Sequence, residues 1–205
     1  MIKLYGPSDP LYPSNLKIRV ALIEAGAEHE LVPVDLSKGE HKLPAFLAVN
    51  PHGKVPALVD GDVRLAETNA ILWYVAEKFP ASGLLTGDHA VVALTLQFLD
   101  MISMHVAGPQ YDYYLHTQGN EPDKRSPEAA EKAKANIDRA LAVIETVLGE
   151  REFLAGPYYS IADISASATL RGMKARLPAY ATLGSNTEAW YALVTARPAW
   201  KRAVG

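Results

Sequence analysis

The stretch from Asn50 to Thr68, N-P-H-G-K-V-P-A-L-V-D-G-D-V-R-L-A-E-T, constrains the fold more tightly than any other part of the chain. Asn50-Pro51-His52-Gly53 is dense in turn formers. Ala57–Asp60 and Val63–Ala66 are short apolar runs separated by Gly61-Asp62, a pattern that predicts a tight β-hairpin. Val55-Pro56 stands at the mouth of the first strand. Proline donates no backbone hydrogen bond there, and X-Pro is the one peptide bond that adopts cis cheaply. A cis bond at this point turns the N–H and C=O of Val55 outward, leaving an edge that can pair with an extended peptide. Glu67-Thr68 then opens a predicted helix through Ile71, Leu72, Val75 and Phe79. Free N–H groups and a hydroxyl at a helix start suit a carboxylate. Together these features suit a small peptide that carries a carboxylate.

Taken from its start, the chain reads as a strand at Ile2–Tyr5, a proline-rich loop to Pro13, and a helix over Ser14–Ala25 with Gly26 as its stop. Glu30–Val34 is a second strand, and its place after a helix predicts a parallel β-α-β unit. Lys38–Lys42 is a polar loop, and Leu43–Val49 has room for a short helix. With the hairpin and the helix Thr68–Phe79, the order is βαβαββα, the thioredoxin-like arrangement.

Pro80–Asp88 is without periodicity, so residues 1–80 are expected to form one domain, with a linker at 81–88. From 89 to 205 the pattern is all helical. His89 to about Leu115 is apolar most of the way round, which predicts burial on more than one side. Pro127–Leu148 carries Ala133, Ile137, Leu141, Ile144 and Leu148 at helical spacing. Ser160-Ile-Ala-Asp163 has capping-box spacing, and both polar residues are read as structural. The final stretch from Trp190 to Trp200 contains Arg197-Pro198.

Composition narrows the function. The 205 residues carry a net charge of −3, which offers nucleic acid no electrostatic purchase. Neither a run of about 18 apolar residues nor a signal-peptide pattern is read, which predicts a cytoplasmic protein without a membrane partner. The chain has no cysteine, so disulfides, thiolate metal sites and cysteine nucleophiles are excluded.

N-P-x-G-K-V-P-A-L, a hairpin, and an acidic residue followed by a hydroxyl residue resemble the glutathione site of the cytosolic glutathione S-transferases. The likeness extends over nearly the whole chain, with features of bacterial members and phi- or theta-like features in the N-terminal half. It implies a thioredoxin-like domain joined to a helical-bundle domain, a homodimer, and detoxifying transfer of the glutathione sulfur to a hydrophobic electrophile. Glutathione is then a co-substrate, and no metal is used. By this likeness Glu67 and Thr68 hold the γ-glutamyl end, and the backbone of Val55, before Pro56, pairs with the cysteinyl part. Lys54 meets the glycine carboxylate. Gly39-Glu-His-Lys42 with Pro44 and Phe46-Leu47 resembles the plant phi-like pattern, in which His41 and Lys42 reach that same carboxylate.

The chemical problem is the thiol, because the thiolate is the nucleophile. A hydroxyl at a helix N-terminus stabilises it through a hydrogen bond and the helix dipole. Relatives place that residue just before the first helix, as in S-x-N-x-x-K/R-V. Here the register admits Tyr12 or Ser14, with Asn15 as an amide donor. The second substrate is expected under the long helix, where Met104, His105, Tyr111, Tyr113 and Tyr114 offer apolar bodies with polar tips; His105 itself is read as an interior histidine. Two other readings stay open: glutathione-dependent reduction, dehalogenation or ether cleavage, and a non-catalytic interaction module.

Overall fold

Ile2 and Leu4 alternate with Lys3 and Tyr5 along β1 (Ile2–Gly6), and the first pair is buried. The computed structural model describes residues 1–205, with β1 at the centre of a four-stranded sheet ordered β2-β1-β3-β4. β2 (His29–Pro33) runs parallel to β1, whereas β3 (Ala57–Asp60) runs antiparallel and continues into β4 (Val63–Ala66). The hairpin strands have the spans expected from the sequence, and β2 begins one residue earlier. The parallel crossover is α1 (Pro13–Glu24), which packs against α3 (Thr68–Lys78) through buried aliphatic side chains. α2 is a single turn, Pro44–Leu47, preceded by a 3₁₀ turn at Glu40–Lys42. Phe46 anchors it in a small cluster with Val34 and Ala57, edge-on to Tyr5 at 6.4 Å.

The hairpin is tied to α3 at its far end. Asp60 accepts from the Tyr74 hydroxyl at 2.8 Å and from the Lys78 ammonium. The Lys78 ammonium holds the Asp60 carboxyl below its ordinary range, and Asp60 raises Lys78 in turn. The Asp60 contribution is therefore present above the unfolded carboxylate pKa and lost as pH falls through the depressed folded value. That of Lys78 is present below its unfolded pKa and lost as pH rises through the raised one. Asp60→Asn is expected to flatten the acid limb of the pH–stability profile relative to the parent. Thermal unfolding across a pH series checks this, and superimposable profiles would remove the link.

Residues Met1–Thr86 and Thr195–Gly205 make one unit, and Gly87–Val194 make the second. The sequence reading placed the C-terminal residues with the helical half. They join the first unit because α9 (Pro198–Val204) buries Ala199, Trp200 and Ala203 and packs on α1. Both guanidinium contacts from Arg197 to Glu24, at 2.6 and 3.0 Å, secure it.

In the second unit one helix runs from His89 to Gly119, past the Leu115 end read from sequence. It comprises α4 (His89–Met101), a π turn at Ile102–Ala107, α5 (Gly108–Tyr114) and a π turn at Leu115–Gly119. Pro109 has no N–H to offer the carbonyl of His105, which accounts for the break in the α ladder there. By length and composition alone the helix could cross a bilayer, although Gln97, Asp100 and His105 interrupt its apolar residues. Its inner side packs on α6 (Pro127–Glu150) and α7 (Ile161–Arg176), burying Phe98, Leu99, Ile102 and Val106. Leu96, Met104 and Tyr111 are exposed in the single chain.

α7 is buried over almost its whole length, and Asp163 organises its start. The carboxylate accepts from Leu154 N, Ser160 N and Ser160 Oγ at 3.0 Å each, and from Trp190 Nε1 at 2.9 Å. The capping box read from the sequence is thus present, extended by Trp190 of α8 (Ser185–Thr195). The start of α8 is capped from α6: Glu145 accepts from Asn186 N and Thr187 N at 2.9 Å each.

Candidate active site

Strand register brings three loops to one end of the sheet. Tyr5 pairs with Ala57, and Ala57 pairs with Ala66. The residues one step further along, Gly6, Pro56 and Glu67, therefore leave the sheet side by side. Gly6 leads to the start of α1, Pro56 comes from the loop before β3, and Glu67 enters α3.

The Val55-Pro56 bond is cis, as the sequence suggested, and neither the N–H nor the C=O of Val55 is hydrogen-bonded within the protein. The loop before it is held from inside by Asn50. Its amide donates to Lys54 O at 2.6 Å and its carbonyl oxygen accepts from His52 N at 3.1 Å. Gly53 is required twice over. Its φ is +61°, and a Cβ there would meet His41 O and Lys42 Nζ at 3.1 Å. Lys42 Nζ donates to Gly53 O at 3.0 Å, so the 3₁₀ turn carrying His41 lies against the loop carrying Lys54 and Val55. Nδ1 of His41 is enclosed and has no partner.

Glu67 has φ +66° and ψ 118° and is the one non-glycine residue with positive φ. Such backbone is held only where its surroundings over-determine it, commonly at binding sites. No side chain caps α3 at Glu67, and a helix start with the Thr68 hydroxyl beside it suits an anion.

At α1 the structure separates the three sequence candidates. Tyr12 occupies the N-cap position by its backbone and Pro13 follows. Ser14 lies in the first turn, is partly exposed, and its hydroxyl makes no hydrogen bond within the protein, so it is not a cap. Asn15 is 1% exposed, and its amide donates to Pro7 O at 2.6 Å. A Cβ on Gly6 would collide with it. Asn15 therefore pins the loop that places Ser14. Tyr12 lines a cleft of about 450 Å³ with Pro7, Ser8, Asp9 and the segment Pro33–Ser37. Asp35 at its rim accepts from Ser37 N at 2.9 Å and Ser37 Oγ at 2.6 Å. The Ser37 hydroxyl and the Lys38 ammonium hold its carboxyl down to about 2.

The five residues read as a second-substrate pocket do not converge within their unit. Met104 and Tyr111 are 67% and 62% exposed. His105 is exposed rather than interior, because it points to the α6 side, where it lines a small cleft with Asn136, Arg139 and Val143. Tyr113 stacks edge-on to Tyr180 at 6.1 Å, and Tyr114 lies over Gly119. Sequence reasoning missed the anchoring roles of Asn50 and Asn15. An Asn at the head of a Pro-His-Gly turn was the available signal for the first, and nothing local marked the second.

Two family profiles match the chain: the glutathione S-transferase N-terminal domain over residues 3–77 and the C-terminal domain over 127–203. Glutathione S-transferase F9 of Arabidopsis thaliana is 34% identical, with 100% of this chain and 96% of that protein covered. Among solved structures, glutathione transferase F2 of Populus trichocarpa superposes with a TM-score of 0.87 at 27% identity, covering 100% and 97% of the two chains. The glutathione transferase URE2P6 of Phanerochaete chrysosporium, solved with oxidised glutathione, gives 0.88 at 27% identity, covering 98% and 94%. The chain belongs to the cytosolic glutathione S-transferase family and is a glutathione transferase. The curated plant relatives support the phi-like features of its N-terminal half and give no support to a bacterial assignment.

Proposed function

We propose that the protein conjugates the thiolate of glutathione to hydrophobic electrophiles, as a detoxifying homodimer of the cytoplasm. The observation that carries this reading is the shared sheet end: an unpaired Val55 edge, an uncapped α3 start and an unengaged Ser14 hydroxyl stand together there. Val55 pairs with the cysteinyl backbone, while Glu67, Thr68 and the α3 N-terminus take the γ-glutamyl group. His41, Lys42 and Lys54 face the glycine carboxylate. Lys42 does so while holding Gly53. Ser14 donates to the sulfur, and the cleft lined by Pro7, Tyr12, Val34 and Leu36 receives the apolar body of the electrophile. Homodimerisation accounts for the apolar side chains that the long helix leaves uncovered. An interaction module would have no use for a free hydroxyl at the start of α1.

Thr68→Ala is expected to weaken glutathione by about 10- to 100-fold, since a hydrogen bond to a charged group is worth about 1.5–3 kcal/mol. Calorimetric titration measures it. No heat of binding in the parent would sink the whole reading, and unchanged affinity in the variant would remove Thr68 from the site. A product assay tests the chemistry, because conjugation yields a thioether and reduction yields oxidised glutathione.

A further inference from the structure

Lys17 is a charged group for which the reading above has no use. It lies on α1 one turn beyond Ser14 and is 4% exposed. No carboxylate, carbonyl or hydroxyl pairs with its ammonium. A lysine is rarely buried so completely without a partner, because desolvating a lone ion is unfavourable. The acidic group on the same helical stripe, Glu24, is taken by Arg197, and the first turn of α1 holds no acidic residue. Burial pushes the Lys17 ammonium down to about 8, which leaves it charged at neutral pH.

Its direction follows from helix geometry. Residues three apart share a face, and side chains lean toward the helix N-terminus. The Lys17 stem therefore lies over the turn that carries Ser14. Its Nζ is not among the sealed, unpartnered polar atoms and keeps a small contact with solvent.

We infer that Lys17 supplies the counter-charge for the thiolate of glutathione held at Ser14, acting through space from one turn deeper in α1. The inference rests on the glutathione reading above. Ser14 gives the sulfur a hydrogen bond, and Lys17 gives it a positive potential in a region with little water. A unit charge about 12 Å away, at an effective dielectric of about 20, acts on the order of one pKa unit, and a nearer one acts more strongly.

The test compares the parent with Lys17→Met and Lys17→Arg. Three quantities are measured: the ultraviolet absorbance of bound thiolate at neutral pH, binding of S-methylglutathione, and thermal unfolding. S-methylglutathione has the same peptide but no thiol to ionise. Lys17→Met is expected to unfold no earlier than the parent and to bind S-methylglutathione equally well. Its thiolate fraction is expected to fall about 3- to 10-fold, with a matching fall in kcat/KM. Lys17→Arg is expected to restore both. A methionine variant with unchanged thiolate and rate overturns the inference. So does one that loses its fold or its S-methylglutathione affinity, because Lys17 would then be structural. Failure of the parent itself to bind S-methylglutathione overturns the glutathione reading instead.

Discussion

Replacing Ser14 with alanine is expected to return the thiol of bound glutathione toward its free value of about 8.5. It should also lower kcat/KM by about 10²- to 10³-fold, the usual effect of removing one donor to a developing or resident anion. Glutathione should still bind, because the Val55 edge and the α3 start do not depend on Ser14. The expectation comes from what Ser14 does not do in the structure. A serine caps a helix from the N-cap position, but here that position is held by Tyr12, and the Ser14 hydroxyl further into the first turn bonds to nothing in the protein. The helix dipole adds to its effect on a nearby anion.

Tyr12→Phe should behave differently. Tyr12 is fixed by its own N–H to Asp9 O at 3.1 Å, and its ring lines the cleft assigned to the electrophile. Its loss of a hydroxyl is expected to alter KM for the electrophile and leave the thiol titration in place. Thiolate absorbance against pH in the two variants decides. A thiol that stays depressed in Ser14→Ala and rises in Tyr12→Phe would place the activating hydroxyl on Tyr12.

The largest loss of stability is expected from Asp163→Ala, about 3–5 kcal/mol by chemical denaturation. The side chain is wholly buried, and burial pushes its carboxyl up, against which four donors act. Removing it leaves Leu154 N, Ser160 N and Trp190 Nε1 without the carboxylate they share, in a buried region. Asp163→Asn keeps the shape but turns one acceptor oxygen into a donor facing donors, so it should recover little. Ser160→Ala, which removes only the cap hydroxyl, should cost about 1 kcal/mol. A loss near that smaller value for Asp163→Ala would mean that the box acts as an ordinary cap and that Trp190 contributes nothing through it.

What was legible in the sequence was what nearest neighbours determine. The hairpin is written in Gly61-Asp62 between two apolar runs, and the helix after it in Thr68. The Ser160–Asp163 box is likewise complete within four positions. What escaped the sequence depends on distant partners. The Tyr12 and Ser14 alternatives could not be parted by counting, because the path of the loop before α1 depends on Asn15 gripping Pro7 across the turn, which no local pattern announces. The exposure of His105 was misread because an apolar helix carries no local sign of which side its neighbours cover. The packing of Thr195–Gly205 on the first unit left no mark in the sequence, because Glu24, the partner of Arg197, lies at the other end of the chain.

That ion pair carries a consequence for how the molecule comes into being. Translation delivers α1 long before α9, so the helix bearing Ser14 and Lys17 stays without its cover until the whole helical unit between them has been made. The nascent first unit can pair its strands early but cannot close around α1 until α9 has emerged. A chain cut short after the helical half would therefore fail at the start of α1, far in sequence from the missing residues.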